Sequence, residues 1–200
     1  MVQQPIAKET PSQTAGPYVH IGLAPGSCGN RALENGEIGS VLYDAGVKGE
    51  RITVEGTVFD GAGEPLRDAL IEIWQADHEG IYKSPEDPRD PGDPAFHGFG
   101  RAVSSFETGL FRFETIMPGR VPTVDGRFQA PHMLLWIVAR GINIGLHTRL
   151  YLPGDETADD PVLQLVDEEL RPRLIAVAQG DIYRFDIHLQ GENESVFFDN

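Results

Sequence analysis

The side chains best suited to metal or acid–base chemistry are three histidines, His132, His147 and His188, and three tyrosines, Tyr82, Tyr151 and Tyr183. Imidazole is the commonest metal ligand and titrates near neutrality, while a tyrosine hydroxyl can donate or accept a hydrogen bond. Spacing decides whether such groups act together. Residues i and i+2 of a strand share a face, so an H-x-H pair aims two rings at one metal. None of the three histidines has such a partner, nor an H-x-x-E one. His132 is followed at the i+2 position by Leu134, and reads as a buried, hydrogen-bonded histidine. His147 and His188 read as structural. No phosphate-binding glycine loop, CxxC pair or nucleophile elbow is present, and no motif supports Ser–His–Asp catalysis. Two further groups stand out, the Thr14-Ala15-Gly16-Pro17-Tyr18 run, which on its own reads as a turn, and Arg140. Glycine permits close backbone approach and proline a rigid apolar surface, although Gly-Pro is also ordinary turn punctuation. The Arg140 guanidinium suits a carboxylate, whether on a small molecule or on a neighbouring chain.

The elements that must hold these groups are strands. Residues 51–60 (RITVEGTVFD) alternate, with Ile52, Val54 and Val58 on one face and Thr53, Glu55 and Thr57 on the other. Asp60-Gly61-Ala62-Gly63 supplies the turn that follows. Residues 69–76, 110–116 and 143–152 read as further strands, and residues 132–140 as a strand buried on both faces. A hairpin is predicted at the end, residues 174–178 pairing with 183–190. There Tyr183, Phe185, Ile187 and Leu189 share the apolar face, which marks Tyr183 as core. Residues 84–94 (SPEDPRDPGDP) hold four prolines and read as an extended loop. Helix signals are weak, Asp160-Pro161 opening at most a short helix through Val166.

Twenty-three glycines and 15 prolines make up about a fifth of the 200 residues, above the usual ~12%. Together with the strands they predict an all-β chain, a β-sandwich over residues 51–200 with an extended N-terminal arm over residues 1–50. Sixteen basic against 31 acidic residues give a net charge of −15, which disfavours nucleic acid and anionic membranes as partners. The longest apolar run, residues 133–139, is far short of the ~18 residues of a membrane span. One cysteine, Cys28, excludes an internal disulfide, and residues 1–8 lack a secretory signal, so a cytoplasmic location is expected.

Four stretches in order resemble the intradiol aromatic-ring dioxygenase family, specifically its protocatechuate branch: residues 10–18 (TPSQTAGPY), 70–77 (LIEIWQAD), 115–119 (TIMPG) and 139–151 (ARGINIGLHTRLY). Residues 190–199 (QGENESVFFD) resemble the tail of that family's alpha chains. The resemblance implies a β-sandwich enzyme of homologous alpha and beta chains that opens protocatechuate with O2 to 3-carboxy-cis,cis-muconate. It also implies a ferric ion held by two tyrosines and two histidines in the beta-type chain. Here the ligand positions depart from the pattern. His132 stands at the first histidine and Leu134 at the second, Arg120-Val121 stand where one tyrosine is expected, and Pro88, Arg89 and Asp90 where the other is. Tyr82 and Tyr151 flank matched segments without occupying ligand positions. The resemblance therefore implies an alpha-type chain without its own metal, His132 being the remnant of a degenerate site and Fe(III) residing in a homologous beta partner. Thr14, Gly16 and Pro17 would line that partner's substrate pocket, with Tyr18 extending the wall and Arg140 meeting substrate or partner. Two rivals stand beside this reading. One is a self-sufficient metalloenzyme with an unusual ligand set, and the other a non-enzymatic β-sandwich module that binds a small molecule.

Overall fold

The computed structural model describes residues 13–30, 38–89 and 92–199. The alternating segment near residue 50 becomes strand β1 (Arg51–Phe59), the axis of the first sheet. Strand β4 (Leu110–Ile116) runs antiparallel along one edge, with Val54 opposite Phe113. The other edge is shared by two short parallel strands, β10 (Ile182–Arg184) and β11 (Ile187–His188), and β9 (Val177–Gln179) pairs with β10. The second sheet is antiparallel throughout, in the order β3 (Phe99–Val103), β2 (Leu70–Gln75), β7 (His132–Val138) and β8 (Leu146–Tyr151). A two-stranded ribbon, β5 (Val121–Pro122) and β6 (Phe128–Gln129), stands apart.

The inner faces meet in one core. Val54, Val58, Phe111 and Phe113 of the first sheet are buried with Ile71, Ile73, Leu135 and Ile137 of the second. Burying each such side chain stabilises the fold by about 1.5–3 kcal/mol, so the period-two pattern is enough to dictate a β-sandwich. Thr53 and Thr57, on the polar face of β1, are buried too. Arg112 Nη2 donates to Thr53 Oγ1 at 3.2 Å and Arg184 Nη2 to Thr57 Oγ1 at 3.0 Å, so two long arms shelter that face.

Several expectations need correction. The strand expected over residues 183–190 is interrupted between Arg184 and Ile187. There the Asp186 carboxylate, not a carbonyl, accepts from the Thr57 N–H at 2.9 Å. The alternation survives the break, Tyr183, Phe185 and Ile187 all being buried. Gly56 makes this crossing possible, because a Cβ there would lie 1.8 Å from the Phe185 carbonyl oxygen. Leu174 does not open a strand but ends a 3₁₀ turn, Arg171–Leu174, whose Pro172 cannot donate to a ladder. The helix expected from Asp160 shrinks to a 3₁₀ turn, Leu163–Leu165. The apolar strand β7 is fully buried on one face only, with Leu134, Trp136 and Val138 half-buried on the other.

The N-terminal arm is not wholly extended. Pro17–Leu23 forms helix α1, with Gly16 as N-cap and Pro17 at the first helical position, where its fixed φ fits and its missing N–H costs nothing. Arg101 Nη1, on β3, holds the end of this helix by donating to Leu23 O at 2.9 Å. Further along, Leu42 is fully buried in the sandwich core and Tyr43 bridges to Phe96. No helix among the described residues is long and apolar enough to cross a membrane.

Candidate functional site

Register places the first site. His132 opens β7 opposite Tyr151 of β8, and one step along Leu134 lies between Trp74 of β2 and Arg149 of β8. Being i and i+2, His132 and Leu134 share the outer face, and Trp74 and Arg149 stand beside Leu134 on it. Above this row the 77–82 turn is clamped by the Asp77 carboxylate, whose Oδ1 accepts from the Glu79 and Ile81 N–H groups at 2.9 Å each. Gly80 adopts φ +78° with a would-be Cβ 2.0 Å from Arg120 O. Only glycine allows that approach, and it presses the turn against residues 117–120. Tyr82, Arg89, Val121 and Pro122 thereby join His132, Leu134 and Arg149 around one cavity of about 690 Å³. All the ligand-equivalent positions predicted from the sequence converge here except Arg120, which folds over Phe128 at 5.1 Å, and Asp90, which lies outside the described residues.

His132 is buried, and its hydrogen bonds fix its tautomer. Nδ1 faces the Ala130 carbonyl at 2.8 Å and so carries the proton, leaving Nε2 to accept from the Tyr82 hydroxyl at 3.2 Å. Burial lowers the imidazole pKa to about 4, so the ring is neutral at physiological pH. Burial also pushes the Tyr82 phenol up to about 12 and the Tyr151 phenol upward, so both are protonated. The Arg89 guanidinium grips Asp87 at 2.7 Å and lowers that carboxyl to about 2. Arg149 Nη1 donates to the neutral Gln129 Oε1 at 2.7 Å. Neither Tyr82 nor Arg149 was singled out for this cavity from the sequence. The signal was the alternation His147-x-Arg149-x-Tyr151, uninformative until the pairing of β7 with β8 is known.

The second site gathers the other predicted residues. Gly16, Pro17 and Arg140 line a cavity of about 430 Å³ with His20, Ile21 and Asp68. Thr14 joins by accepting the Gly141 N–H on its Oγ1 at 2.8 Å. Arg140 is paired through Nε with Asp68 of its own chain, which neither sequence alternative anticipated. The His20 imidazole is buried with Nε2 lacking a hydrogen-bond partner among the described residues, and Tyr18 projects outward, 85% exposed. The two cavities share no lining residue.

The family model described as Dioxygenase matches residues 30–191. The chain belongs to the intradiol dioxygenase family. It is 42% identical to the protocatechuate 3,4-dioxygenase alpha chain of Pseudomonas putida and 36% identical to that of Burkholderia cepacia. The alignments cover 96% of this chain in both cases, and 96% and 98% of those relatives. The beta chain of the Burkholderia cepacia enzyme is 38% identical over 72% of this chain and 66% of its own length. Among solved structures, the dioxygenase domain of a carbohydrate-binding fusion from Streptomyces sp. SirexAA-E superposes with a TM-score of 0.55 at 27% identity, covering 78% of this chain and 88% of that one.

Intradiol dioxygenases use non-haem Fe(III), and the donors in this chain do not fit that ion. A ferric centre needs several hard, anionic oxygens beside imidazole. Here the one imidazole has its free lone pair engaged by Tyr82, the partner histidine is Leu134, and the nearby phenols are held protonated by burial. Among the described residues no three His, Cys, Asp or Glu side chains are grouped to hold a metal.

Proposed function

We propose that the chain is the alpha subunit of a heteromeric protocatechuate 3,4-dioxygenase, with Fe(III) held by a homologous beta subunit. The reaction inserts both atoms of O2 into protocatechuate and breaks the bond between its two hydroxylated carbons, giving 3-carboxy-cis,cis-muconate. One observation carries the reading. A chain matching alpha chains over 96% of its length gathers His132, Leu134, Val121 and Arg89, the positions where the family resemblance expects iron ligands, around one cavity. The partner subunit, protocatechuate and O2 are the molecules this chain meets, in the cytoplasm, within an assembly of alpha–beta pairs.

Two surfaces are suited to the beta subunit. Beyond the row of Trp74, Leu134 and Arg149, the outer face of the second sheet leaves Trp136 half-buried on β7, the kind of aromatic side chain enriched at interface centres. Residues 1–50 form the interface and pocket segment and residues 51–200 the dioxygenase-like domain. In that segment the exposed Tyr18 and Ile21 flank the cavity of Gly16 and Pro17. Thr14, Gly16 and Pro17 line the partner's substrate pocket. Arg140, fixed at one nitrogen by Asp68 and with its side chain 75% exposed, directs its remaining donors at a carboxylate of substrate or partner.

The test is steady-state O2 uptake with protocatechuate by the co-expressed complex. Wild type turns over, and Pro17→Ala and Arg140→Gln each raise KM by roughly three- to tenfold, the range expected for loss of a partly exposed charged or packing contact. Unchanged KM and kcat in both variants remove these residues from the pocket. A well-folded complex without O2 uptake overturns the function.

A further inference from the structure

Arg149 gives the metal-free cavity a use of its own. Its guanidinium is half-buried on the outer face of β8 and forms no ion pair with any described residue. Its hydrogen bonds run from Nη1 alone, to the neutral oxygens of Gln129 at 2.7 Å and Tyr151 at 3.4 Å. These anchors orient the fork without neutralising it. A guanidinium so placed is matched to a carboxylate, which it can take through two parallel hydrogen bonds. The other cation on the cavity wall, Arg89, is already occupied by Asp87.

The remaining surface specifies the body attached to that carboxylate. Register sets Trp74, Leu134 and Arg149 side by side on three neighbouring strands, so the guanidinium stands at the edge of a flat apolar floor. Val121 and Pro122 form the facing wall, and Tyr82 closes one side with its ring 6.2 Å from that of Trp74. A volume of about 690 Å³ lies within the range of small-ligand sites, roughly 300–1,000 Å³. Tyr82 spends its proton on His132 and keeps oxygen lone pairs free to accept from a ligand hydroxyl. Glu86, exposed among the residues that line the cavity, disfavours ligands with more than one negative charge.

We propose that this cavity is a non-catalytic binding site for a monocyclic aromatic monocarboxylate, with Arg149 as its anion anchor and Trp74 as its aromatic platform. The site is separate from the Arg140 cavity and belongs to this chain alone. A ligand held here meets no metal donor set and is bound without conversion.

The experiment is equilibrium dialysis of radiolabelled 4-hydroxybenzoate, whose single ring hydroxyl prevents intradiol cleavage, against the alpha–beta complex. Wild type is expected to show, beyond the partner's substrate pocket, one further site per alpha chain that disappears in Arg149→Gln, its affinity weakened at least tenfold. Leu134→Trp fills the same floor from a different strand and is expected to remove the same site, so the result does not depend on one variant folding well. 4-Hydroxybenzyl alcohol, the neutral analogue, and inorganic phosphate are expected not to compete. Undiminished binding in both variants, or competition by either control, overturns the proposal. O2 uptake with protocatechuate in the same preparation reports separately on the subunit reading. If no complex forms, the dialysis on this chain alone still decides the site, one per chain against none.

Discussion

Replacing Asp160 by alanine lowers the stability of the chain by about 3–5 kcal/mol, because it strands several buried donors at once. The Asp160 carboxylate is completely buried and accepts four hydrogen bonds. Ala130 N–H binds Oδ2 at 2.7 Å, and the Tyr151 hydroxyl, Val162 N–H and Leu163 N–H bind Oδ1 at 3.0, 2.9 and 2.7 Å. These bonds join the 3₁₀ turn at Leu163 to the ends of β6 and β8, around the small cluster of Ala130, Tyr151, Leu163 and Leu174. For a chain of this size the loss corresponds to a fall in Tm of roughly 10 °C or more. Asp160→Asn keeps the acceptor on one side but turns an NH2 toward the Ala130 N–H, so it should lose about half as much. Urea unfolding of the two variants checks both values. A loss below 1 kcal/mol for the alanine variant would show that this carboxylate is not the clasp described.

His132 makes stability depend on pH over a defined window. In the unfolded chain its imidazole protonates near the ordinary 6.5, while burial in the folded chain holds the pKa to about 4. As pH falls through 6.5 the unfolded form gains a proton that the folded form refuses. Stability therefore drops by up to 1.36 kcal/mol per pH unit, about 3 kcal/mol in all by pH 4, and this loss then levels off. His132→Gln should flatten the slope between pH 6.5 and 4 while leaving the acid loss below it. That lower range belongs to carboxylates such as Asp87, held down to about 2 by Arg89. Parallel slopes for wild type and variant from pH 7 to 4.5 would exclude His132 as the source.

Most of the strands are legible in the sequence, and what is not legible has a common cause. Strand β4 occupies the residues its alternation predicted, 110–116, because aromatic and charged side chains there leave one possible face for the core. The residues that the matched motifs single out, His132, Leu134, Val121 and Arg89, line one cavity. Helix α1 was hidden because Tyr18, Val19 and Ile21 favour strands, and only Pro17 at its first position signals a helix. Trp74, Tyr82 and Arg149 were missed because they reach the cavity through strand register and through a turn held by Asp77, neither of which is local in sequence. Trp136 looked like part of a doubly buried strand for a related reason. An apolar face reads the same whether its own chain or another one covers it.

The most direct test of the alpha-subunit account is iron content and O2 uptake measured side by side on this chain alone and on its complex with a beta subunit. The account predicts no stoichiometric iron and no ring opening for the separated chain, and one Fe(III) per alpha–beta pair with turnover of protocatechuate for the complex. Stoichiometric Fe(III) on the separated chain, with ring opening in the absence of any partner, would contradict it.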